Sequence, residues 1–242
     1  MSKVELISKT VGLGSYSELN NRDVILAIAR HGEIKEGKSR LITYLMNHKH
    51  WSPLQHVSFG FKIETRRSIS AQIFRHRSLN GQEWSLRYSE PVGFEEIDIR
   101  REHPTNRQSS TESFDPIIDC TLASDLIYRH LENTELLYDD LIKAGVAKEC
   151  ARDILPLCTK TTIHITGTLR DLLGFLNVRC DEHSQKEVRD IATAIGEELE
   201  KDLPDVFKAI DWRNGEQIFI RLFTIFCVSH SLKDYGIIKW II

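Results

Sequence analysis

Residues Val57 to Glu64 alternate without a break, with Val57, Phe59, Phe61 and Ile63 on one side and Ser58, Gly60, Lys62 and Glu64 on the other. A period of two sends successive side chains to opposite faces of a pleated backbone, so this segment predicts a β-strand with one buried face. The period then changes. Ser68 or Ser70 starts a helix in which Ile69, Ile73 and Phe74 pack inward, and that helix delivers Gln72 and the triplet Arg75-His76-Arg77 at its far end. A rigid strand and helix thereby hold the polar loop that follows at fixed geometry, as a preorganised site requires.

The stretch from Gln72 to Glu90 packs arginines, amides, carboxylates, serines and His76 into nineteen residues, more hydrogen-bonding capacity than a turn needs for its own backbone. Guanidinium forks match phosphate and carboxylate geometry two bonds at a time, so Arg75, Arg77 and Arg87 together suit a polyanion. The simpler alternative is a helix that ends in cations favoured by its dipole and runs into a solvated loop. Basic excess is local: Lys62, Arg66, Arg67, Arg75 and Arg77 face only Glu64 over that span, whereas the whole chain carries a formal charge of −3. That is the footprint of a small anionic ligand and argues against a nucleic-acid partner. A non-catalytic RNA-binding module on the Lys62 to Arg77 patch is the corresponding alternative.

Five cysteines are odd in number, and no two are closer than eight residues, which fits neither a disulfide framework nor a zinc knuckle. With no signal peptide at Met1-Ser2-Lys3 and no apolar run of membrane-spanning length, the expectation is a cytoplasmic protein without a membrane partner. His48, His50 and His56 flank Pro53 in a shaped loop; no Asp or Glu joins them, so the reading is no metal, with a metal-dependent nucleotide hydrolase as the alternative enzyme class. Cys158 is the one cysteine in a setting remotely suited to a nucleophile, and Ser85 has no Asp-His pair to activate it, so no catalytic nucleophile is assigned.

Elsewhere, Gly12-Leu13-Gly14 reads as a turn, Asn21 or Asp23 caps a helix ending near Gly32, and Ser39 caps another reaching His48. Phe94 to Asp115 reads as a surface insertion or flap. Helices are predicted from Asp119 to Ala144, where Gly145 stops the run, and from Ala147 to Pro156. Leu157 to Thr166 reads as a strand, Thr168 caps a helix bearing Leu169, Leu172, Leu173 and Leu176, and a last helix covers Asp181 to Lys201 before Pro204. Ile218 to Val228, in the tail, is too short to span a membrane and too apolar to be left wet; a hairpin or helix docked on a neighbouring subunit is the expectation there.

The spacing Arg75-His76-Arg77, seven residues, Ser85, one residue, Arg87 resembles the signature of the flavin-dependent thymidylate synthases, and Gln72, Glu83, Tyr88 and Ser89 also fit it. Phe175-Leu176-Asn177-Val178-Arg179 matches that family's second block, and Ala151-Arg152-Asp153-Ile154-Leu155-Pro156 a nucleotide-binding context. The resemblance runs from about Tyr44 to Trp212 and implies a single domain over 1–212, with 213–242 a C-terminal extension outside it. It implies an α+β fold, an antiparallel-rich twisted sheet flanked by helices, assembled as a homotetramer with each site built from several subunits.

The implied activity is methylation of uracil C5 in dUMP to give dTMP, with FAD as cofactor, methylenetetrahydrofolate as one-carbon donor and NADPH as reductant. A relative acting on UMP, or leaving a hydroxymethyl group, is the close alternative. The residues carried over to the pyrimidine nucleotide are Gln72, Glu83, Ser85, Leu86, Arg87, Arg152 and Arg179. Those carried over to the cofactor are His50, Ser52, Gln55, Arg75, His76, Arg77, Ser78, Thr168, Arg170 and Gly174. This chain departs from the family at Gln55, where Glu is usual, and at Thr168 and Gly174, where Asn commonly faces the flavin.

Overall fold

The alternating segment is the second of four strands in one antiparallel sheet of the computed structural model, which describes residues 2–32, 39–210 and 212. In chain order the elements are β1 (Lys3–Lys9), α1 (Asn21–Ala29), α2 (Ser39–Asn47), β2 (Ser58–Arg66), α3 (Arg67–Ile73), β3 (Asn80–Glu83), β4 (Arg100–Glu102), β5 (Ser110–Ser113), β6 (Ile117–Ile118), β7 (Thr121–Leu122), α4 (Ala123–Lys143), α5 (Lys148–Ala151), β8 (Lys160–Thr168), α6 (Leu169–Arg179), α7 (Lys186–Asp202) and α8 (Pro204–Ile210). The main sheet runs β1-β2-β8-β3, with β4-β5 and β6-β7 as separate two-stranded ladders. The architecture is α+β, as anticipated.

The sheet is one-sided. Phe59, Phe61 and Ile63 of β2 and Ile163 and Ile165 of β8 are buried, in register as Phe61 opposite Ile165 and Ile63 opposite Ile163. They pack in one cluster with Leu172, Leu173 and Leu176 of α6, Ile191 and Ile195 of α7 and Phe207 of α8. The opposite face presents Glu64, His164 and Thr166 to solvent and half-buries Lys62, the alternation expected where only one face is covered. No helix among the described residues is long and apolar enough to cross a membrane.

Several boundaries differ from the sequence reading, each for a local reason. β1 was not anticipated; it pairs with β2, and only Val4 and Leu6 pack on the core. Asn20, rather than Asn21 or Asp23, caps α1, its side-chain oxygen accepting the Asp23 N–H at 2.9 Å. The predicted polar loop contains β3, a strand made by pairing with β8 rather than by propensity. The 94–115 flap is partly tied down by β4 and β5. α4 starts at Ala123 instead of Asp119 because Asp119 and Cys120 both adopt positive φ (47° and 62°) and close a tight β6-β7 hairpin. The helix predicted from Ala147 to Pro156 ends as α5 at Ala151, with one tighter turn to Ile154. α7 starts at Lys186 instead of Asp181, whose carboxylate accepts the His183 N–H at 2.8 Å to form a turn. Pro204 opens α8 instead of closing the chain's last helix, the position where a missing N–H is harmless. The expectation for the apolar tail falls outside the described residues.

Thr168 caps α6 as predicted, in a reciprocal arrangement. Its hydroxyl donates to Asp171 Oδ2 (2.5 Å) and accepts the Asp171 N–H (3.3 Å), while Asp171 Oδ2 accepts the Thr168 N–H (3.3 Å). Thr168→Ala should lower stability by about 1 kcal/mol, read as a lower midpoint in urea with an unchanged slope.

Candidate active site

Two cationic groups flank β3 in the chain, a strand whose four residues span about 10 Å at a rise of about 3.3 Å per residue. The first forms where α3 and α6 both finish. The Arg179 guanidinium, at the last residue of α6, donates Nη2 to the Gln72 carbonyl at 2.9 Å, and the His76 ring meets Phe175 edge-on at 5.4 Å. The carbonyl ends of two helices favour cations here. Burial, and then the neighbouring Arg75, push the Arg179 guanidinium below its usual value; burial also pushes His76 down, with Arg179 adding to the effect and Asp171 opposing it. Among the described residues, Arg75, Arg77, Arg170 and Arg179 form no ion pair, and Arg179 Nε is buried without a partner. Arg170 is also set in the first turn of α6, where the helix dipole disfavours a cation. Ser78 is exposed just beyond the triplet.

The second group lies past the other end of β3. The Ser85 carbonyl accepts the N–H groups of Tyr88 (3.2 Å) and Ser89 (3.1 Å), and its hydroxyl accepts the Arg87 N–H (3.3 Å), which winds this segment into one turn and buries Leu86. The Arg87 side chain reaches Glu149 Oε2 at 3.2 Å, and Arg152 donates Nε to the Glu149 carbonyl at 3.2 Å, so both predicted arginines converge on one residue. Glu83 sits between the two groups, accepting from Ser70 Oγ (2.7 Å) and Thr161 Oγ1 (3.1 Å), with Arg67 at 3.5 Å. A recess of about 320 Å³ opens over Glu83, Ser85, Tyr88 and His164. A second, of about 530 Å³, lies over Leu86, Glu90, Lys160 and Thr162, and Trp84 borders both. Volumes of this order suit small ligands.

The remaining predicted positions lie on α6 and on the segment that leads into β2. Ser52 and Gln55 are exposed on a single tight turn over Ser52–His56 that abuts α6, where Leu169 N–H donates to the Val57 carbonyl at 2.7 Å. His50 packs edge-on against Tyr44, while His48 stacks on the same ring and its Nδ1 bonds the Tyr44 carbonyl at 2.9 Å. No three His, Cys, Asp or Glu side chains among the described residues converge as metal ligands. The Thr168 hydroxyl is engaged as a helix cap, whereas a Cβ added at Gly174 would meet nothing within 4 Å, which leaves that face of α6 open. Cys158 is buried and its thiol is pushed up by that burial, the reverse of an activated nucleophile.

Within one chain, then, Gln72, Arg75, His76 and Arg179 gather at one end of β3 and Ser85, Arg87 and Arg152 at the other, with Glu83 between them. The sequence reading missed the residues that hold these side chains: Ser70, Arg67 and Thr161 around Glu83, and Gln185 with Glu187 beside Gln72. Only the proximity of Gln185 and Glu187 to Arg179 in the chain hinted at this, and nothing in their spacing ties them to Gln72.

Comparison with known proteins bears on the same residues. The family model described as "Thymidylate synthase complementing protein" matches residues 9–205. The flavin-dependent thymidylate synthase of Synechocystis sp. is 38% identical over 176 residues, covering 72% of this chain and 80% of that protein. A probable flavin-dependent thymidylate synthase of Paramecium bursaria Chlorella virus 1 is 36% identical over 175 residues, covering 72% and 81%. The flavin-dependent thymidylate synthase of Thermosipho melanesiensis is 34% identical over 175 residues, covering 72% and 76%.

Proposed function

Because the chain belongs to the flavin-dependent thymidylate synthase family, we propose that it methylates C5 of dUMP to give dTMP, with FAD as the flavin, methylenetetrahydrofolate as the one-carbon donor and NADPH as the reductant. The observation that carries this reading is the set of arginines that pair with no carboxylate among the described residues, above all Arg179, part-buried beside a like charge. Part-burying a guanidinium beside a like charge is unfavourable until an anion joins the pair. Phosphates are the anions that fit.

In this reading Arg75, Arg77, Arg170 and Ser78 bind the cofactor's phosphates, His76 orients its ring with His50, Ser52 and Gln55 alongside, and Thr168 and Gly174 border it. Arg179, Gln72, Glu83, Ser85, Leu86, Arg87 and Arg152 hold the nucleotide. A bound FAD supplies the hydride and methylene chemistry, so the protein needs binding groups and electrostatics rather than a thiolate. The cofactor fits the residues present: arginines that form no ion pair among the described residues for its phosphates, and an open helix face at Gly174. In this reading each site draws residues from more than one copy of the chain. A homotetramer meets that need, and the exposed Tyr128, Leu136 and Leu137 of α4 offer apolar surface for assembly.

Gly174→Ala separates the roles of α6. Alanine is favoured over glycine in a helix by about 1 kcal/mol, so the FAD-free protein should unfold later, while its FAD affinity should fall by about tenfold as the methyl group takes the open space. Thermal melts without FAD and fluorescence titration with it check the two signs. The activity itself is tested by incubating the purified protein with FAD, dUMP, methylenetetrahydrofolate and NADPH and identifying the product by mass spectrometry. A product heavier than dUMP by one CH₂, a methyl group in place of the C5 hydrogen, is expected; product only from UMP, or a hydroxymethyl adduct, would contradict the assignment.

A further inference from the structure

The hydrogen bonds beneath Gln72 have a direction. Glu187 is the anchor, its side chain 14% exposed and its carboxylate accepting Arg66 Nη2 (2.9 Å), Arg100 Nη2 (2.9 and 3.0 Å) and Gln185 Nε2 (2.9 Å). Burial opposes its ionisation, but its own backbone N–H and the Arg100 and Gln185 donors outweigh burial and hold the carboxyl below its usual range. An ionised carboxylate can only accept. Gln185 must therefore turn its NH₂ toward Glu187, which leaves its carbonyl oxygen facing Gln72, and Gln72 meets that oxygen with Nε2 at 2.6 Å. The two ends of an amide look alike until a network assigns them, and here the assignment propagates from a charge. Gln72 Oε1 is the group left over, an acceptor to which no described residue donates. The backbone carbonyl of the same residue steadies Arg179.

We propose that Gln185 and Glu187 are positioning residues that fix the polarity of the Gln72 amide, so that its oxygen faces an N–H or O–H donor on the nucleotide. This rests on the nucleotide-binding role assigned to Gln72 above. The consequence is selectivity: an acceptor pinned in this way rewards the ring N3–H of uracil, or a sugar hydroxyl, and rejects a ligand that presents a lone pair there, as the N3 of cytosine does.

Gln185 occupies the N-cap of α7 without using its side chain for capping, so serine there keeps the helix start while falling short of Gln72. Titration calorimetry on the FAD-loaded protein should show Gln185→Ser binding dUMP about tenfold more weakly than the parent, with the flavin spectrum unchanged. Gln185→Glu, which sets a second carboxylate against Glu187 where the amide now donates at 2.9 Å, should lose at least as much affinity as the serine variant. Two analogues identify the donor: N3-methyl-dUMP lacks the ring N–H, and 2′,3′-dideoxyuridine monophosphate lacks the sugar hydroxyl. One of them should bind the parent about tenfold more weakly than dUMP and lose that penalty in Gln185→Ser. The proposal is overturned if Gln185→Ser binds dUMP as tightly as the parent, or if the analogue penalty survives in Gln185→Ser. A parent protein that does not bind dUMP overturns the nucleotide assignment itself, and the relay with it.

Discussion

Arg179→Ala should weaken dUMP binding by about 100-fold or more while leaving the protein folded. A hydrogen bond to a charged group contributes about 1.5–3 kcal/mol, and one guanidinium can make two to a phosphate, so a loss near 3 kcal/mol follows. Each 1.4 kcal/mol is about tenfold in affinity. Stability changes little because two small effects oppose each other: the bond to the Gln72 carbonyl is lost, and the repulsion between Arg179 and Arg75 disappears with it. Arg179→Lys keeps the charge but not the fork and should recover only part of the loss. Arg87→Ala should also weaken binding without shifting the melting temperature, since its pair with Glu149 is about half exposed on both sides and such pairs contribute about 0–1 kcal/mol. Unchanged dUMP affinity in both variants would remove the substrate assignment.

Phe61→Ala should cost about 3–5 kcal/mol, a large share of the roughly 5–15 kcal/mol that holds a domain together. Phe61 is fully buried on β2 between Leu6 of β1 and Ile165 of β8, and the close-packed cluster around it cannot collapse into the space left. β2 runs directly into α3, and β8 into α6, so this core sets where Gln72, the Arg75 triplet and Arg179 stand. A large fall in the urea midpoint is expected, and Phe61→Leu should recover most of it because its volume is closer to that of the parent residue.

The parts of this fold that were legible in the sequence are those where one face of one element is decided locally. β2 announced itself by strict alternation, and α6 by Thr168 followed by leucines at helical spacing. β3 did not, because Asn80-Gly81-Gln82-Glu83 has no strand preference of its own and becomes a strand by completing the hydrogen bonds of β8, some eighty residues later in the chain. β1 offered only Val4 and Leu6 toward the core, too little periodicity to distinguish from a loop. The same division holds for the site. Arginines in a spaced motif could be read as anion ligands from their chemistry alone, and the structure adds that Arg75 and Arg179 are neighbours with no counter-ion among the described residues. The supporting residues Ser70, Thr161, Gln185 and Glu187 were invisible, since a hydrogen bond between residues as far apart as Gln72 and Gln185 leaves no trace in local spacing.

In the proposed function this arginine-rich region binds a flavin and a nucleotide at once. The most direct measurement is the absorption spectrum of the protein mixed with FAD, followed on adding NADPH with and without dUMP. A protein-bound flavin band is expected that bleaches with NADPH and bleaches faster when dUMP is present, with the dUMP effect lost in Arg179→Ala. A protein that retains no FAD, or a bleaching rate indifferent to dUMP in the parent, would contradict it.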